Sequence, residues 1–181
     1  MTIKDIAKCA AAILQADDIA DELDSDEIAD LEADAKTLVK CVNLAIAETR
    51  VDFPVVHTAV VCAVGGFIPL DAFEGVISAV KKVERGGKPV SFTIDTRGIA
   101  VPSDGAYSIA YIIAPSDRNV DDEAEVGATL DCNILGYLAA RNYCLITGRT
   151  DEAAIWDQRY NAEAECRRIT RRAVLPKRRF L

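Results

Sequence analysis

The hydrophobic period of this chain changes twice. From Val55 to Pro115 the residues are rich in Val, Ile, Thr, Phe and Tyr, and turn residues interrupt them at short intervals. On both sides of that block the apolar residues recur every third or fourth position instead. A period near 3.6 lines one face of a helix and a period of 2 lines one face of a strand, so each block is committed to its own kind of element. The chain is therefore expected to be α+β, with helices, then a small antiparallel β insertion, then helices again. Helices before and after an insertion pack most simply as one bundle, with the β block projecting from it.

The helical blocks can be placed by their stripes and caps. Residues 2–15 are predicted as a short helix with Ile3, Ile6, Ala10, Ile13 and Leu14 on one side, followed by a weaker turn at 17–23. Asp24 or Ser25 is predicted to cap a long helix, because Asp24 and Glu27 have capping-box spacing and the first turn is acidic. Ile28, Leu31, Ala35, Leu38, Val42, Ala45 and Ile46 form its stripe, which runs to about Arg50 before Pro54 ends it. Ser116 to Gly127 is a polar, acidic connection. Helix resumes near Ala128 and runs to about Thr147, apolar nearly all round, as the centre of a bundle requires. Gly148 reads as its stop and Thr150 as the next N-cap. The last helix is predicted to bury Ile155, Ala162, Cys166, Ile169 and Ala173, with Trp156 and Tyr160 beside that stripe, until Pro176 starts a tail. The organisation expected is 1–53 and 128–173 as bundle, 54–115 as insertion, 116–127 as connection and 174–181 as an extended basic arm.

Within the insertion, VVHTAVVCAV, GVISAVKKVE, KPVSFTID, GIAVP and YSIAYIIAP each have strand character. Gly86-Gly87 joins two of them and is predicted to turn a hairpin. Val90, Phe92 and Ile94 alternate with polar residues, which predicts a strand with one wet face.

Half of the residues are hydrophobic, enough for a core in one domain of 181 residues, or one domain with an insertion. The six cysteines lie far apart, with no CxxC pattern, and most sit among apolar residues; they are expected to be reduced core or near-core thiols, as in a reducing cytosol. The N-terminus lacks the shape of a signal peptide and no stretch approaches a membrane span, so a soluble protein made inside the cell is expected.

Chemistry finds little to work with. His57 is the only histidine and has no nucleophile signature beside it, while a metal site of the usual kind needs several ligands at fixed spacing. Asp95, Asp104, Asp117, Asp121 and Asp122 are explained by turns. The glycine pairs lack a phosphate-loop context. Trp156 and Tyr160, one helical turn apart, are expected to be core. No catalytic residue, cofactor or metal is expected, and the chain is not expected to be an enzyme.

Charge is more telling. The formal net charge is −8, yet from Arg167 to Leu181 there are seven basic residues and no acid, while from Asp17 to Asp34 there are ten acids and no base. Complementary patches of this kind set register and speed encounter between subunits. Leu175, Phe180 and Leu181 add apolar anchors to the basic end, which suits a protein groove better than a phosphate backbone.

Several stretches carry a resemblance. They are LVKCVNLAIAET ending near an FP dipeptide, the GKPVSFTI strand, YLAARNYCLITGR, the WDQRYNAE helix and the LPKRRFL ending. Their layout resembles that of bacteriophage head–tail adaptor (connector) proteins of phages and prophages of low-GC Gram-positive bacteria, and is similar to that of tail tubular protein A of short-tailed phages. The resemblance spans nearly the whole chain and rests on overall pattern. It implies a structural virion protein of the neck and tail region. Such a protein forms a ring with copies of itself, usually a dodecamer, that joins the portal protein to the tail and extends the DNA channel. The next tail component (tail tube, nozzle or stopper protein) would dock below, and DNA would pass without sequence-specific binding. Carried onto this chain, the resemblance makes Arg171, Arg172, Lys177, Arg178, Arg179, Phe180 and Leu181 the portal-binding residues. Gly65, Gly66, Phe67 and Ile68, with Gly86, Gly87 and Lys88, would meet the tail or the neighbouring subunit. The VVCAVGGFIPL stretch, more apolar than a loop should be, is expected to be covered in an interface. Competing expectations are another ring protein that completes or terminates a tail, a nucleic-acid-binding module using the basic tail, and an enzyme built around His57.

Overall fold

The computed structural model describes residues 1–25 and 31–172, with backbone alone over 169–172. The chain is α+β and divides into two compact units, one made of residues 1–53 with 116–181 and one of Pro54–Pro115.

The first unit is helical. Helix α1 (Ile3–Leu14) opens with a capping box: Asp5 N–H donates to the Thr2 hydroxyl at 3.1 Å, and Thr2 N–H donates to the Asp5 carboxylate at 2.7 Å. The Thr2 N–H first, and the Thr2 hydroxyl after it, hold the Asp5 carboxyl below its usual range. Thr2→Ala is expected to cost about 0.5–2 kcal/mol at neutral pH. A depressed pKa contributes stability above the unfolded value, near pH 4, and loses it as pH falls through the folded value. The variant keeps the Thr2 N–H bond to the Asp5 carboxylate and loses only the hydroxyl, so the hydroxyl's share of the difference between the two proteins in urea melts should shrink in acid while the lost bond to Asp5 N–H persists.

Helix α2 (Asp17–Asp24) follows, and helix α3 spans Ala33–Thr49. The long helix expected to start at Asp24 or Ser25 begins instead at Ala33. The would-be caps are engaged elsewhere. Asp24 closes α2 and pairs with Lys8, the Ser25 hydroxyl donates back to Glu22 O at 2.8 Å, and the Glu22 carboxylate accepts from Glu32 N–H. Glu27 and Ile28, which that expectation also used, lie outside the described residues.

Helix α4 (Cys132–Ile146) starts four residues later than Ala128 because Asp131 caps it, accepting from Asn133 and Ile134 N–H at 3.1 Å each. It packs on α1, on α3 and on helix α5 (Thr150–Arg172), with Ile134, Leu135, Leu138 and Ala139 buried. It is the central helix, and Gly136 lets α1 approach: a Cβ there would lie 3.0 Å from Ile13 Cδ1 and 3.1 Å from Cys9 Sγ. Gly148 ends α4 at φ 78°, and Arg149 N–H donates to Cys144 O at 2.7 Å. Thr150 is the first residue of α5, not its cap.

The phase of α5 also differs from expectation. Ala153, Tyr160 and Ala164 are buried and Trp156 is half-buried, whereas Ile155 is 53% exposed and Ala162 and Cys166 face solvent. Trp156 stacks on Tyr137 at 6.0 Å between ring centroids. The rings of Trp156 and Tyr160 hold more apolar area than the Ile155 stripe, and they decide which side goes in. Ile169 and Ala173 of the expected stripe fall outside the described side chains.

The connection is fastened to this unit rather than looped free. Ile3 and Lys4 N–H donate to Asp122 and Val120 O at 3.0 and 2.8 Å. The Asn43 amide donates to Arg118 O and accepts from Arg118 N–H, both at 3.0 Å. Arg50 reaches the Glu125 carboxylate at 2.7 Å.

The second unit is antiparallel throughout but holds two sheets. Strands β1 (His57–Ala63), β7 (Gly105–Ile113), β3 (Ile77–Arg85) and β4 (Lys88–Pro89) form one, in that spatial order. Strands β2 (Phe67–Pro69), β6 (Gly98–Ala100) and β5 (Thr93–Ile94) form the other. The expected strand KPVSFTID is thus split between the two sheets at β4 and β5. Gly86 and Gly87, both at positive φ (56° and 76°), turn the β3–β4 hairpin with Arg85 paired to Lys88. The core of this unit gathers Ile68, Phe73, Val83, Ile99, Tyr107, Ile109 and Tyr111.

Candidate interaction surfaces

The residues the sequence nominated fall in different places. Gly65 and Gly66 turn β1 into β2 at φ 62° and 70°. Gly66 is held by its N–H donating to Asp104 at 2.7 Å and its O accepting from Val101 N–H at 2.9 Å. Phe67 is half-buried, and Ile68 is 0% exposed within the second unit's core. The apolar VVCAVGGFIPL stretch therefore divides: Ala63 and Ile68 face inward, while Val60 and Val64 are 75% and 78% exposed. Gly86, Gly87 and Lys88 sit at the exposed hairpin tip. Lys177, Arg178, Arg179, Phe180 and Leu181, and the side chains of Arg171 and Arg172, lie outside the described residues.

Two of the seven basic residues near the C-terminus are already engaged. Arg167 Nη2 lies 2.6 Å from the Asp131 carboxylate, and Arg168 pairs with Asp52. They clamp α5 onto the start of α4 and the turn that follows α3. Further up, Arg141 bridges Glu48 of α3 at 2.5 Å and Asp157 of α5 at 3.1 Å, with the Asn142 amide donating to Glu48 at 3.3 Å. This network joins three helices at once.

A groove of about 770 Å³ runs between α3 and the connection. Leu31, Val39 and Val120 give it an apolar floor. Lys36 and Lys40, one turn apart and exposed, stand on the α3 wall; Arg118 stands on the other wall with Asp117 and Asp121. A smaller acidic hollow of about 180 Å³ is lined by Asp18, Ile19, Glu22, Glu32 and Asp34. The acidic run is visible in the sequence and the cationic groove is not, because Arg118 is brought to α3 by the Asn43 clasp, a contact between residues 75 positions apart.

Other groups have local work. His57 lies on β1 with its ring 5.8 Å from that of Tyr111. Asp95 accepts from Arg97 and Gly98 N–H at 2.7 and 2.9 Å, and these two bonds lower its pKa. Asp122 accepts from Asn119 N–H at 2.7 Å. Among the described residues no three metal-ligating side chains gather, and no helix is long and apolar enough to cross a membrane.

The cysteines are not uniformly inward. Cys41 and Cys144 are buried, Cys9 and Cys132 are half-buried, and Cys62 and Cys166 are exposed. Burial, with Cys144 beside it, pushes the Cys41 thiol up to about 11. A thiol reagent at pH 8 is expected to modify Cys62 at least tenfold faster than Cys41, which should react only on unfolding. Mass mapping of the labelled peptides checks this.

No family model and no curated protein matches the chain.

Proposed function

We propose that this protein is a structural virion subunit: one member of a ring that joins the portal of a bacteriophage to its tail and extends the DNA channel, made in the host bacterial cytoplasm. The observation that carries the reading is the order helix, sheet, helix, closed by α5. That helix runs 23 residues to Arg172 and leads into AVLPKRRFL. A long terminal helix followed by a basic, Pro-interrupted segment with apolar anchors suits an arm that docks on a partner. In this reading the arm takes the portal protein. The β3–β4 hairpin tip and the exposed Val60 and Val64 of the second unit meet the next tail component, and the work is assembly, not catalysis.

The test is the mass of the purified protein, alone and mixed with the co-encoded portal protein, for the full chain and for a chain ending at Ala173. The full chain is expected to join portal in a ring-sized complex and the shortened chain is not. If neither binds portal while the full chain retards DNA at low salt, the basic end is a phosphate contact and the ring reading falls.

A further inference from the structure

We infer that the groove between α3 and the connection is a docking surface for a second copy of this chain, entered by the acidic ridge of that copy's α2. Among the described residues, no ion pair engages Lys36 or Lys40 of the groove, nor Asp17, Asp18 or Asp21 of α2. All five are exposed.

Their placement explains why they do not satisfy one another. Helix α2 packs on α3, and the acidic hollow that joins them includes Asp34. Lys36 is two residues further on, about 200° around the helix axis. The carboxylates of the hollow, Asp18 and Asp34 among them, therefore lie on one flank of α3 and the ammonium groups on nearly the opposite flank, while Asp17 and Asp21 stand exposed on α2 beside Asp18. A surface and its complement on opposite flanks of one chain is what head-to-tail repetition requires, and repetition of that kind closes into a ring when the rotation allows.

The spacing fits as well. Asp17 and Asp21 are one turn apart, as are Lys36 and Lys40, so each pair spans about 6 Å along its helix. The ridge of α2 is convex and the groove is concave, with Leu31, Val39 and Val120 beneath the lysines. Asp117 and Asp121 on the far wall would repel the incoming carboxylates, which directs them to the α3 wall. The basic arm is the wrong sign for a site built around Lys36, Lys40 and Arg118.

This inference rests on the ring reading only in taking the occupant to be another copy. The test is a charge exchange, read by sedimentation at low salt over a concentration series. Lys36→Glu/Lys40→Glu and Asp17→Lys/Asp21→Lys are each expected to weaken self-association by about tenfold or more, since each places like charges face to face. Mixed in equal amounts they should reassociate, because each then offers what the other lacks. Carbodiimide cross-linking of the wild type adds a direct readout: an Asp17 or Asp21 link to Lys36 or Lys40 is expected in the dimer band and absent from the monomer band. A wild type that self-associates with no loss in either variant and no such cross-link overturns the inference and leaves the ring reading standing. A wild type that forms no higher species, alone or with portal, overturns both. The same link in the monomer band would show that the charges meet within one chain, and would also overturn it.

Discussion

Leu138→Ala is expected to destabilise the helical unit by about 2–5 kcal/mol, the range for removing a buried leucine from a packed core. Leu138 is almost fully buried on α4, the helix that touches α1, α3 and α5. Three partners converging on it leave little room for collapse around a deleted side chain, and poor collapse places the cost in the upper part of that range. The readout is built in. Trp156 is the only tryptophan of the chain and stacks against Tyr137, the residue preceding Leu138. Urea unfolding followed by Trp156 fluorescence should show the midpoint falling with little change in slope. An unchanged midpoint would mean that α4 is not the centre of the bundle.

The second large effect is expected at Gly98. A Cβ at this position would sit 2.3 Å from the Ile68 carbonyl oxygen and 2.5 Å from Phe67 Cζ. Phe67 could swing aside, but the carbonyl belongs to β2, which is paired to β6 through Ile68 and Ile99. Gly98→Val must therefore separate the two strands, uncovering Ile68 and Ile99 from the core of the second unit. Overpacking of this kind costs about 1–3 kcal/mol and sometimes more, a large share of the stability of so small a unit. Hydrogen exchange read by mass spectrometry should show amides of β1, β3 and β7 losing protection, while α1 and α4 keep theirs and the Trp156 transition stays in place. The two lesions lie in separate hydrophobic clusters, so each should be visible without the other. Retained protection in the β strands would show that β2 and β6 can part without cost.

Much of this architecture is legible in the residues, and the failures have physical causes. The two changes of hydrophobic period identify the classes of element, and Gly86-Gly87 identifies the hairpin because a two-residue turn with both φ angles positive favours glycine. The start of α3 was not legible. Asp24 and Ser25 each have a local propensity to cap, but Lys8 takes the first and the Glu22 carbonyl the second, while the Glu22 carboxylate holds Glu32 N–H just before α3. The phase of α5 was not legible because its apolar residues are few, and the buried side is chosen by where Tyr137 awaits Trp156. KPVSFTID looked like one strand because strand propensity says nothing of which sheet a residue pairs with. For the surfaces, the acidic run was visible as a count of charges. The cationic groove was not, since it is assembled from α3 and a connection fixed to it by Asn43. The portal-binding residues expected from the basic end rest on the resemblance and on the outcome of the truncation.

The first unit is discontinuous in sequence, and this orders events during synthesis. Helix α1 packs against α4, and Thr2 pairs with Glu123, so the N-terminal helices have no complete core until α4 has been made. The sheet unit, by contrast, is continuous from Pro54 to Pro115 and draws all its strands from that stretch. On a ribosome, where segments emerge in order, the sheet can close first and shorten the distance α1 must span to find its partner. Until then the apolar faces of α1 and α3 stand open. The acids between Asp17 and Asp34 would keep a half-made chain of this kind apart from its neighbours, which gives the same carboxylates a task before any assembly begins.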